Sequence, residues 1–101
     1  MVVSGDLKMD YYNEVEELLS NYKNKQKEIR VFSKEDSKQD FLKHCLDCLD
    51  DYEKELLDSI MIEKISIRQY SRQSGFSRAF VTKEKNRLID LIAKFFQVNY
   101  S

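Results

Sequence analysis

Proline is absent from this sequence and glycine occurs twice, at Gly5 and Gly75. A chain without those breakers, and rich in Lys, Glu, Leu and Ile, favours helices. No stretch alternates apolar and polar residues for long enough to suggest a strand. The expected fold class is therefore all-α, a small helical domain of about four to five helices. The 101 residues, 42% hydrophobic and 35% charged, allow one modest core, so residues 1–101 read as a single domain.

Apolar spacing divides the chain into segments. Tyr11, Val15, Leu18, Leu19, Tyr22 and Ile29 fall near one face of a helix over residues 10–31, whose second half, NYKNKQKEIR, is polar nearly all round. FSKEDSKQD reads as a break, with Ser33 or Asp36 capping a new helix. Over residues 36–64 the residues Phe41, Leu42, Cys45, Leu46, Leu49, Tyr52, Leu56, Leu57, Ile60 and Met61 keep helical spacing. That pattern fits one long helix or two broken near Asp50 and Asp51.

Residues 66–97 carry the most specific signal. Ser66 caps a short helix, IRQYSRQS, which stops at Gly75, and Ser77 caps a second helix over 77–97. Gly75 suits the left-handed backbone just past a helix end, and Ser71 is a small residue where two helices would cross. Phe76 and Val81 would plug the pair onto the rest of the domain. On the second helix Val81, Leu88, Ile89, Leu91, Ile92, Phe95 and Phe96 cluster on one face, whereas Ala79, Thr82, Lys83, Asn86, Arg87 and Asp90 point away. This is the pattern of a helix-turn-helix, whose second helix enters the major groove of DNA.

The charge distribution agrees. From Lys64 onward eight basic residues face only Glu84 and Asp90, a local excess of +6, so the first 63 residues carry −7 of the overall −1. Such an asymmetry places an anion-binding surface in the C-terminal part. Arg72, Arg78, Lys83, Lys85 and Arg87 are expected to meet phosphates. Among base edges, Arg78 and Lys83 suit guanine, Asn86 suits adenine, and Ala79 or Phe80 suits a thymine methyl. With Arg68, Ser77 and Thr82, these complete the expected DNA-binding set.

The run SIRQYSRQSGFSRAFVTKEKNRLIDLIAKF resembles the helix-turn-helix of region four of bacterial sigma factors, which reads the −35 promoter element. The shared pattern is a capped short helix, Gly-hydrophobic-Ser-Arg, a Val three residues after that Arg, and a basic helix running into an apolar end. With the preceding ELLDSIMIEK, the resemblance covers roughly the last half of the chain. VEELLSNYKNKQKEI is similar to the leading helix of small phage transcription regulators of the ArpU and RinA type. The resemblance implies a DNA-binding transcription regulator of phage or prophage origin, acting on double-stranded DNA in a bacterial cytoplasm, with or without contact to RNA polymerase or another regulator. It gives Arg78, Thr82 and Lys83 groove-facing places and Arg87 the place where such helices meet activators or backbone. Ala79 and Lys83 stand where primary sigma factors often have Glu and Gln, so a different site would be read. The expected role is an accessory factor or activator, since 101 residues leave no room for the promoter-melting module.

Other motifs carry less. Cys45 and Cys48 form a Cys-x-x-Cys beside His44, the single histidine, but no second pair completes a zinc site, and small reduced hydrophobes on a helix explain them. The acidic run from Asp47 to Asp58 reads as a solvated face. No phosphate-cradling Gly loop or nucleophile elbow is present, so neither an enzyme nor a cofactor is expected. No apolar run reaches the roughly 20 residues of a membrane span, and the first ten residues lack the design of a secretory signal. Phe95, Phe96 and Tyr100 fit core packing against Tyr11 to Tyr22 or a homodimer seam. Two rival readings are a packaging component of the small-terminase kind and a helical protein-interaction module that does not bind DNA.

Overall fold

Helices account for nearly all of the chain in the computed structural model, which describes residues 3–32 and 37–100. Their order is α1 (Val3–Ser20), α2 (Tyr22–Phe32), α3 (Ser37–Asp47), α4 (Asp51–Leu57), α5 (Ile67–Ser74) and α6 (Arg78–Tyr100). A π-helical turn, Asp58–Ile62, extends α4. No strand occurs among the described residues, in agreement with the all-α expectation.

Among the described residues the helices number six because two expected segments are divided. The first breaks at Asn21, whose side-chain amide donates to the Glu17 carbonyl at 3.1 Å, the same oxygen that accepts its backbone N–H. An Asn that competes for its own i−4 carbonyl weakens the ladder at that point. α1 also starts earlier than residue 10, at Val3. The second division falls at Asp50, whose extended backbone opens α4 while its N–H donates to Glu53 Oε1 at 3.0 Å. The expected caps Ser33 and Asp36 lie outside the described residues.

The π-helical turn closes with unusual backbone. Glu63 N–H reaches the Asp58 carbonyl at 2.7 Å, and Ile65 N–H reaches Ser59 at 2.8 Å. Widening by one residue lets Ile60, Met61 and Ile62 all lean on the core. Lys64 then takes φ 61°, the left-handed position at which a helix stop usually carries Gly.

The core is built around α6, which supplies Val81, Leu88, Ile89, Ile92, Ala93 and Phe96. Its most extensive partner is α1, through Val15 and Leu19, so the two ends of the sequence pack together. Leu42, Cys45 and Leu46 of α3, Leu56 and Leu57 of α4 and Tyr70 of α5 complete it. Phe96 is wholly buried, its ring 5.0 Å from Phe41 and 6.5 Å from Tyr11, and Tyr100 stacks 5.6 Å further along α6. Core packing therefore holds for Phe96 and Tyr100, whereas Phe95 remains 37% exposed. Lys38 of α3 adds an ion pair to Glu14 of α1 and lies over the Tyr100 ring. At 20 Å in its thinnest direction, the domain is about two helix diameters thick. No helix among the described residues is long and apolar enough to cross a membrane.

Candidate nucleic-acid interface

The turn between α5 and α6 is built from local hydrogen bonds. Ser66 Oγ accepts from the Gln69 N–H at 3.1 Å, and Ser77 Oγ accepts from Phe80 N–H at 3.1 Å, so both expected caps are in place. Gly75 sits at φ 85°, ψ −4°, with its N–H on the Ser71 carbonyl at 3.0 Å. Ser71 Oγ donates to the Phe76 carbonyl, and Phe76 N–H donates to Ser74 Oγ at 3.2 Å. Val81 is fully buried and Phe76 half-buried against the core. These bonds hold the start of α6 fixed against α5.

Of the expected DNA-binding set, Arg68, Arg72, Ser77, Arg78, Ala79, Phe80, Thr82, Lys83, Asn86 and Arg87 are exposed, and Lys85 is half-buried. Arg68 and Arg72, four residues apart on α5, flank a shallow groove with Ser66, Gln69 and Gln73. Ala79, Thr82, Lys83 and Asn86 form one stripe along the first turns of α6. Among the described residues, Arg68, Arg72, Arg78, Lys83 and Lys85 have no ion-pair partner, and the first four are exposed.

Arg87 differs in that two carboxylates engage its guanidinium. Its Nη2 lies 2.6 Å from Glu53 Oε2 and 2.7 Å from Glu84 Oε1, and its Nε donates to Glu84 Oε2 at 3.1 Å. The fork-shaped pairing holds Glu84 and Glu53 below the usual carboxylate range, hydrogen bonding to Arg87 being the largest cause for each, and raises the guanidinium further. Glu84 itself is buried, with the Tyr52 hydroxyl donating to Oε1 at 3.2 Å. Burial and the Glu84 charge in turn raise the Tyr52 hydroxyl. Asn86 is partly engaged too, since the Tyr12 hydroxyl donates to its Oδ1 at 3.3 Å and leaves its amide N–H groups for an acceptor.

Two helices outside the expected site therefore orient it: α4 through Tyr52 and Glu53, and α1 through Tyr12. The sequence held one clue. Glu84 lies on the apolar face of its helix, where a carboxylate is tolerated only with a charged partner. The arrangement has a fixed frame on one side of α6 and free cations with amide and hydroxyl groups on the other, which is chemistry for binding an anion.

Away from this face, Cys45 is buried and Cys48 exposed, both as free thiols. Burial pushes the Cys45 thiol up to about 11, with the neighbouring Cys48 adding to the effect. No group of three or more His, Cys, Asp or Glu among the described residues is placed to hold a metal ion. Compared with family models, with curated proteins and with solved structures, the chain has no significant match.

Proposed function

We propose that the protein binds double-stranded DNA through α5 and the first turns of α6 and regulates transcription. The observation that carries this reading is the set of exposed cations Arg68, Arg72, Arg78 and Lys83, without an ion-pair partner among the described residues, around a turn fixed by Ser66, Gly75 and Ser77. Such a set supplies the phosphate contacts that dominate affinity for DNA. The stripe of Ala79, Thr82, Lys83 and Asn86 supplies side chains of the types that read base edges. The resemblance to sigma region four supports a regulator of phage or prophage origin that acts at promoters and touches RNA polymerase or another regulator. Nothing in this chemistry calls for a catalytic group or a cofactor.

A homodimer fits the same reading. Phe95 and Val98, 37% and 81% exposed near the end of α6, border a groove with Phe41 and Cys48, and a second copy on that face would give paired recognition helices.

The test is selection from a random-sequence duplex pool, sequencing what the pure protein retains, with the oligomeric state measured by light scattering. A common motif and a monomer or dimer support a regulator. Retention without a motif by a ring-sized oligomer favours a packaging component, and no retention at low salt leaves a protein-interaction module.

A further inference from the structure

A second cationic groove lies in the half of the chain that is acidic overall. α2 packs mainly on α1, and beyond that contact its face carrying Lys23, Lys27 and Arg30 lines a groove whose opposite wall bears Lys43 of α3 and Lys54 of α4. The three residues of α2 share one side at i, i+4 and i+7 and span about 10 Å along the axis.

The carboxylates of this groove are largely spent. Glu63 accepts from Lys23 at 2.6 Å and Asp47 from Lys54 at 3.2 Å. Asp58 remains, its carboxyl raised above the usual range mainly by burial. Among the described residues Lys27, Arg30 and Lys43 have no ion-pair partner. Tyr22 also borders the groove. Three uncompensated cations facing one trough match a repeating line of negative charge, and phosphates recur every 3.4 Å along one strand of duplex DNA.

The groove ends at Ile62 and Glu63, and α5 is capped three residues later at Ser66, at most about 10 Å of chain away. Exposed Lys64 lies between. The two cationic surfaces are thus neighbours along the chain.

We infer that the groove between α2 and α3–α4 takes the sugar–phosphate backbone of nucleic acid, extending the duplex contact beyond the part held by α5 and α6. This rests on the DNA-binding reading above. It gives the polar second half of the N-terminal helical segment a task other than meeting solvent.

The experiment compares wild type with Lys27→Gln/Arg30→Gln/Lys43→Gln, all exposed or rim changes, by fluorescence anisotropy against duplexes of one and three helical turns across a salt series. Circular dichroism verifies the fold of each variant. On the long duplex the slope of log K against log salt falls by about 2 to 3, as for the loss of three phosphate contacts at about 0.9 each, while the short duplex changes little. An unchanged slope on the long duplex overturns the inference. So does a wild type that binds a poly-glutamate peptide and a variant that loses it with duplex binding intact, which would make the groove a protein-binding surface. Failure of the α5–α6 reading looks different: Arg72→Ala/Arg78→Ala/Lys83→Ala then leaves both slopes unchanged while the groove variant still lowers one. No binding of either duplex by wild type overturns both.

Discussion

Arg87 reaches back one helical turn to Glu84 and holds its buried carboxylate at 2.7 Å, while the same nitrogen lies 2.6 Å from Glu53 of α4. A guanidinium placed this way is a structural strut between α4 and α6. Arg87→Ala is expected to lower stability by about 1 to 2 kcal/mol, because it strands a buried carboxylate, although its own partial exposure limits the loss. Urea unfolding measures the change. A fall in duplex affinity with unaltered stability would contradict the assignment.

The same cluster sets a pH dependence. Arg87 holds Glu53 and Glu84 below their ordinary value of 4.5, so in the folded chain they stay ionised at pH values where the unfolded chain has taken up protons. The stability they contribute is complete above about pH 4.5 and is lost as pH falls through the lowered folded values. Glu84→Gln should start less stable at neutral pH and lose less on acidification. Urea midpoints for both proteins at neutral and acidic pH provide the check, and parallel acid losses would contradict it.

Backbone handedness makes a paired prediction. Lys64 at φ 61° is strained as a non-Gly residue, so Lys64→Gly should stabilise by about 0.5 to 1 kcal/mol. Gly75 is the reverse: a Cβ there meets nothing within 4 Å, yet φ 85° still disfavours it, and Gly75→Ala should cost about 1 kcal/mol. Thermal midpoints moving in opposite directions would agree with the two geometries, and a destabilised Lys64→Gly would not.

The two cysteines should separate cleanly by reactivity. Cys48 is exposed, whereas the Cys45 thiol is buried and pushed up to about 11. Ellman's reagent should titrate one thiol per folded chain near neutral pH and the second only in denaturant. Two fast-reacting thiols in the folded protein would show that α3 opens readily.

What the sequence makes legible here is local. Ser66, Gly75 and Ser77 announce their roles because a cap or a left-handed turn depends on neighbours within a few residues. Exposure of Arg68, Arg78 and Lys83 follows from helical periodicity alone. Arg87 shows the limit, since its partner Glu53 lies 34 residues away and only packing of α4 on α6 brings them together. Lys64 is hidden for another reason: its handedness comes from the π-helical turn before it, and no residue type signals that turn. The α2 groove is equally silent, because net charge over the first half masks three cations that the fold gathers on one side.

The most direct measurement is the salt dependence of duplex binding for wild type beside Arg72→Ala/Arg78→Ala/Lys83→Ala, with Arg78→Ala alone on the selected site. The triple variant should lower the slope of log K against log salt by about 2 to 3, and Arg78→Ala should cost about 1 to 3 kcal/mol at that site if it reads a base. A triple variant that binds with the wild-type slope would contradict the claim that α5 and α6 hold the DNA.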